Sequence, residues 1–158
     1  MFRPMLRKRQ QLPEEECVQI LKEQLRGVLS LLGDDGYPYG VPINHYYCEE
    51  DGKLYFHCAK VGHKIDAIRG CEKASFCVCD EGCRKEDDWS LYIRSVIVFG
   101  RIEFVEDRDL IYRIARELSY KFTDDEAFIQ KEIDRFGKGT MMFALVPEHM
   151  TGKLVHEK

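Results

Sequence analysis

The chain has 158 residues, a net charge of −4 and 44% hydrophobic against 33% charged residues. These are the proportions of a one-domain globular protein able to bury its own core. The acidic balance argues against nucleic acid as the main partner, and no run approaches the ~18 apolar residues of a membrane span.

Arg3, Arg7, Lys8 and Arg9 open the chain with no apolar stretch behind them. We therefore expect no secretory signal, a cytoplasmic location and a solvated N-terminal arm. Seven cysteines then read as reduced thiols. From Pro13 to Arg26, three Glu follow a Pro, and Cys17, Ile20, Leu21, Gln24 and Leu25 recur at helical spacing. This predicts an amphipathic helix stopped at Gly27.

Val28–Leu32 is a short apolar run closed by the turn Gly33-Asp34-Asp35-Gly36. Tyr37–Cys48 is aromatic and β-branched but interrupted by Pro38 and Pro42, which predicts an edge or bulged strand. After the turn at Glu49–Gly52, Lys53–Cys58 alternates as a third strand. Together they predict an antiparallel meander. A connection through Val61 and Gly62 leads to a short helix over His63–Arg69, then a strand at Ala74–Cys79.

Asp80–Asp88 is charged and reads as a mobile loop. Trp89–Val105 reads as a long strand bent at Gly100. Asp107–Phe122 returns to helical period. Thr123-Asp124-Asp125-Glu126 has the form of a capping box for a further helix carrying Phe128, Ile129, Ile133 and Phe136, ended by Gly137 to Gly139. Thr140–Val146 and a piece around His149–Val155 are the closing strands. Strands and helices do not alternate regularly, so the expected class is mainly β (α+β): an antiparallel barrel with peripheral helices in one domain over 1–158. Residues 1–26 form its arm and first helix, and 107–137 a helical excursion.

Three segments bear on chemistry. His57-Cys58-Ala59-Lys60-Val61-Gly62-His63-Lys64 sets two lysines and two histidines around a strand-to-helix turn, where free N–H groups and the helix dipole favour a phosphate. Gly40-Val41-Pro42-Ile43-Asn44-His45 interrupts a strand, exposing backbone that could pair with the edge of a planar heterocycle. Ser95 stands in an otherwise apolar strand with no local base, which argues against nucleophilic catalysis. Cys77, Cys79 and Cys83 raise a thiol or metal alternative, but their spacing lacks the paired knuckles of zinc sites, and no metal is expected. P-loop, zinc-protease and α/β-hydrolase motifs are absent.

Taken together, Asp35-Gly36-Tyr37-Pro38-Tyr39-Gly40-Val41-Pro42-Ile43-Asn44, Tyr55-Phe56-His57-Cys58-Ala59 with Gly62-His63-Lys64, and Tyr92 with Ser95-Val96 resemble the pyridoxamine 5′-phosphate oxidase-like superfamily of flavin split barrels. Within it the sequence is most similar to the 5-nitroimidazole-resistance (Nim) proteins, over roughly residues 6 to 155. The resemblance implies a homodimeric split β-barrel with FMN between the subunits. Ile43, Asn44 and His45 would face the ring system. His57, Ala59, Lys60, Gly62, His63 and Lys64 would surround the phosphate, and Ser95 and Val96 would approach from the partner. It further implies an FMN-dependent oxidoreductase of nitroreductase type acting on a small electron-poor molecule, with NADH or NADPH as donor. Cys58 replaces a small hydroxyl residue of many relatives, and Lys and His replace the arginines of vitamin B6 oxidases, so that activity does not carry over. The alternative is a non-catalytic module holding flavin, haem or a deazaflavin.

Overall fold

The computed structural model describes residues 1–135 and 139–157. The elements in chain order are β1 (Gln11–Leu12), α1 (Glu14–Glu23), β2 (Arg26–Leu32), β3 (Pro38–Asn44), β4 (Tyr46–Cys48), β5 (Lys53–Ala59), α2 (His63–Gly70), β6 (Lys73–Cys79), β7 (Leu91–Val105), α3 (Arg108–Tyr120), α4 (Glu126–Arg135) and β8 (Thr140–Glu157). All strand pairs are antiparallel, in the order β3-β2-β6-β7-β8-β5-β4, with β1 paired to β8. Among the described residues no helix is long and apolar enough to cross a membrane.

The meander expected from the sequence is not formed. β2 pairs with β3 and β4 with β5, but β3 and β4 lie at opposite edges of the sheet, joined through the single residue His45. Laid flat, the strands would put those edges ~29 Å apart at ~4.8 Å per step. Two residue steps reach only ~7 Å. The sheet must therefore curl until its edges meet at His45, and this makes it the expected split barrel, mainly β with peripheral helices.

Alternation fills the inside. Phe56, Phe76 and Phe143 are fully buried, with Phe56 centred 5.1 Å from each of the other two rings, and Leu29, Val96 and Val98 pack around them. A second cluster forms outside the barrel wall. Tyr55, Met142 and Ala144 face outward there and are covered by Ile114 and Ala115 of α3 and Ile129 and Ile133 of α4.

Several boundaries differ from expectation for local reasons. The first helix ends at Glu23, and Gly27 sits inside β2, where a Cβ would lie 2.5 Å from Phe76. The two closing strands are one, β8, and the register shift opposite Phe99/Gly100 of β7 is a bulge in β8 with Glu148 as the extra residue. The cap of α4 is Asp125, whose Oδ1 accepts from Phe128 N–H, and not Thr123. The core position Phe136 and, of the helix stop expected at Gly137 to Gly139, positions 137 and 138 lie outside the described residues.

Candidate functional site

Chain closure decides which side chains around Pro42 are presented. Ile43 points into the barrel core. Asn44 is half-buried on the outer side, its Oδ1 accepting from Arg26 Nε–H at 2.8 Å. His45 turns inward and is fully buried, with its ring edge-on to Phe76. Its Nε2 lies 2.7 Å from the Leu21 carbonyl oxygen, so Nε2 carries the proton and donates, while Nδ1 has no partner. Burial, and secondarily the Lys121 ammonium, push this imidazole down to about 3. Of the three residues expected to face a ring system, only Asn44 offers its side chain outside the barrel.

Lys121, which the sequence gave no reason to single out, fastens the closure. Its Nζ donates to the carbonyls of Gln24 (2.7 Å) and His45 (2.9 Å), tying the end of α3 to the end of α1 and to the one-residue link. Burial lowers its pKa to about 8.

The turn from β5 into α2 has the geometry of an anion cradle. Gly62 precedes the helix at φ +123, a conformation that disfavours any other residue, and nothing lies within 4 Å of where its Cβ would be. No side chain caps the helix, and the N–H groups of Ile65 and Asp66 close back onto the Gly62 carbonyl. The N–H groups of His63 and Lys64 are left without an acceptor among the described residues. Ala59, Lys60 and Gly62 are exposed, and Lys64 is half-buried. Cys58 points toward the barrel core, with burial raising its thiol pKa against the opposing charge of Lys64.

The two histidines of the segment separate. His63 stacks on Tyr39 of β3 (4.1 Å, 17°), with its Nε2 3.7 Å from Asp34 Oδ2. The turn after β2 is thus held against the start of α2, a non-local pairing with no sequence signal. His57 sits on the outer face of β5 opposite Met142, in a small cleft shared with Phe122, Phe128 and Glu132. One side of its ring is open to solvent, yet the cleft walls and then Lys64 lower its pKa, partly countered by Glu132.

Beyond these, Ser95 is half-buried in the outward row Cys79–Ser95–Lys153. Val96 is fully buried in the barrel of its own chain, so its side chain is not presented outside. The 80–88 segment is tied down: Asp80 accepts from Arg94 N–H and Nε–H, Asp88 accepts from Ser90 and Tyr92, and Cys83 pairs with Tyr92. Cys77 and Cys79 face outward together, but Tyr92 alternates away from Ser95, so Cys83 belongs to the opposite side. Among the described residues no three His, Cys, Asp or Glu side chains converge as a metal site would require.

The outer face of β3-β2-β6-β7-β8 has an uncharged centre. Its rows Pro42–Val28–Cys77–Ile97–Thr151 and Gly40–Ser30–Ser75–Phe99–His149 contain no Lys, Arg, Asp or Glu. Val28, Leu32, Ile97 and Phe99 are 40%, 51%, 38% and 39% exposed. Phe2 of the arm stacks on His149 at 4.8 Å and lies against Phe99.

The pyridoxamine 5′-phosphate oxidase family pattern matches residues 13–154. No curated protein matches the sequence significantly. Among solved structures, the fold is shared with a candidate 5-nitroimidazole antibiotic resistance protein of Bacteroides thetaiotaomicron (TM-score 0.75, 18% identity, 93% of this chain and 87% of that one). It is also shared with an FAD-binding protein of Mesorhizobium loti (0.63, 26%, 92% and 96%). A third similar structure is an FAD- and haem-binding protein of Mycobacterium smegmatis (0.70, 20%, 92% and 73%).

Proposed function

The chain belongs to the pyridoxamine 5′-phosphate oxidase family, and we propose on that premise that it is a homodimeric FMN protein whose cofactor lies between two subunits. The observation that carries the reading is the uncapped start of α2, where two unpaired N–H groups and the helix dipole face the open side of Gly62, with Lys60 and Lys64 two residues away on either side in the chain. That arrangement suits the dianionic end of a flavin mononucleotide. Ala59 and Gly62 leave room for the phosphate, and His63 is pre-positioned by its stack on Tyr39. Asn44 supplies a polar contact for the edge of the ring.

The two uncharged rows of the outer sheet support the second subunit. Contiguous and partly aromatic, they form a surface that isolated proteins seldom leave in water. Ser95 stands on the same side of the sheet, available to a partner's cofactor.

Bound there, the flavin would supply reversible two-electron transfer from NADH or NADPH to a small electron-poor substrate such as a nitroaromatic. The protein's part is binding, orientation and exclusion of water. His57 has a lowered pKa and an open side, which makes it the imidazole best placed to hand a proton outward. His45 is excluded from that role by its burial. A second reading, a carrier or sensor holding flavin or haem without turnover, is favoured by the similarity to a protein that binds FAD and haem.

The test is an absorbance spectrum of the purified protein with mass identification of the released cofactor, followed by anaerobic addition of NADH or NADPH. FMN bleached by nicotinamide and reoxidised by a nitroaromatic supports the enzyme. A flavin or haem inert to both supports the module, FAD corrects the cofactor, and a colourless protein that takes up no FMN refutes the reading.

A further inference from the structure

We infer that Lys153 of β8 reaches across the subunit interface to the pyrimidine edge of the flavin held by the partner. This inference rests on the proposal of a flavin between two subunits.

The register fixes where Lys153 points. Its neighbours in the strand face the barrel: a Cβ on Gly152 would collide with Cys17 and Leu12, and Leu154 packs against the core. By alternation Lys153 faces outward. It is paired with Ser95 of β7 on one side and with Gln11 of β1 on the other. Ser95 and Lys153 thus stand side by side, their Cβ atoms ~5 Å apart, on the face that would present Ser95 to a partner's cofactor.

The surroundings supply this cation with no counter-group. The outward positions around it are Ile93, Ser95 and Ile97 of β7, Thr151 and Val155 of β8, and Gln11, none of them charged. Lys153 is already half-buried in one subunit, and it has no hydrogen bond or ion pair among the described residues. A second subunit laid on this face takes away its remaining water, and a buried ammonium left unpaired is strongly destabilising. In an isologous dimer the partner brings the same face, whose two central rows contain no Asp or Glu. Beyond them Glu72 and Glu148 are held by Arg101. The cofactor is then the group that answers Lys153. Its phosphate has the cradle at the start of α2, whereas the N1 and C2-carbonyl edge of the ring has Asn44 alone. That edge gains negative charge on reduction, so an ammonium donating to it favours the reduced form.

The test uses the flavin-loaded dimer and three readouts. Lys153→Met should remain a dimer by sedimentation and bind oxidised FMN about tenfold more weakly by flavin fluorescence. Reduced FMN should lose about tenfold more than that, which lowers the two-electron reduction potential by about 30 mV. Lys153→Arg keeps the cation and should stay within about threefold of wild-type affinity. Mixing Lys153→Met subunits with Lys64→Gln subunits decides the crossing. Each mixed dimer should hold one site of wild-type affinity and one with both lesions, because cradle and lysine come from different chains. A wild-type protein that is monomeric or takes up no flavin refutes the dimeric flavin reading, and the inference with it. With a flavin-bearing wild-type dimer, the inference alone is overturned if Lys153→Met keeps its affinity, keeps its potential or loses the dimer. It is equally overturned if Lys153→Arg is as impaired as Lys153→Met, or if mixed dimers show no site of wild-type affinity.

Discussion

His45 should make the protein lose stability on mild acidification, and the amount follows from its position. The imidazole is fully buried, donates from Nε2 to Leu21 O, and is held down to about 3 by burial and Lys121. In the unfolded chain it titrates near its ordinary value of 6.5. A depressed histidine contributes stability that is present above the unfolded value and lost as pH falls from there toward the folded one, because the unfolded chain gains a proton the folded chain refuses. By pH 5.0 the loss is about 2 kcal/mol, at 1.36 kcal/mol per pH unit. Most carboxylates are still ionised at that pH, so the effect is separable from general acid denaturation. His45→Gln keeps an N–H able to reach Leu21 O but does not titrate. Urea unfolding at fixed protein concentration, at pH 7.5 and 5.0, should show the wild type falling by about 2 kcal/mol more than the variant. An equal fall in both would refute the assignment of His45 as a neutral closure residue.

Lys121 also has a depressed pKa, about 8 against 10.5, so the folded chain should gain stability as pH rises from 8 toward 10; urea midpoints of Lys121→Met should lack that rise. Lys64→Gln should weaken FMN binding by about tenfold, and the wild-type affinity should fall with salt more steeply than that of the variant, both read by flavin fluorescence quenching. Gly62→Val forces a side chain into φ +123 and should cost about 1–3 kcal/mol in unfolding free energy as well as flavin occupancy. Phe99→Glu puts a charge into the uncharged outer face and should turn the dimer into a monomer by light scattering, with flavin lost alongside. Retention of both dimer and flavin would remove that face from the interface.

The sequence made local structure legible wherever one residue determines its own neighbourhood. Alternation along β6 sets Phe76 and Val78 on one face and Cys77 and Cys79 on the other, and Gly100 borders the bulge that Glu148 makes in β8. The Pro-interrupted strand is indeed an edge strand. The turn into α2 was legible, because the glycine and the helix start lie within a few residues. What the sequence hid is non-local. Nothing in Asn44-His45-Tyr46 says that its two sides belong to opposite edges of one sheet, and so the meander expectation failed there. The same closure turns the His45 side chain inward. Pro147 and Glu148 read as a break between strands, because the bulge that absorbs them is set by the partner strand β7. The stack of His63 on Tyr39 and the grip of Lys121 on Gln24 and His45 join residues far apart in the chain.

One consequence of the closure ties the core to the candidate site. In β2, β3, β6 and β7 each strand serves two surfaces: Ile43, Leu29, Phe76 and Val96 fill the barrel, while Asn44, Val28, Cys77 and Ser95 lie on the outer side. A strand slip of one residue would exchange the two sets, so the packing that fixes register also fixes what the outer face presents. Phe76 is central to this, since it touches Phe56, lies edge-on to His45 and sits where Gly27 leaves room for it. Truncation there, Phe76→Ala, should cost about 3–5 kcal/mol. Because the hole lies beneath the closure residue, the loss should reach the outer face as well: flavin occupancy should fall at temperatures below the unfolding transition. A variant that is destabilised yet holds its flavin fully until it melts would show that core and site are mechanically independent.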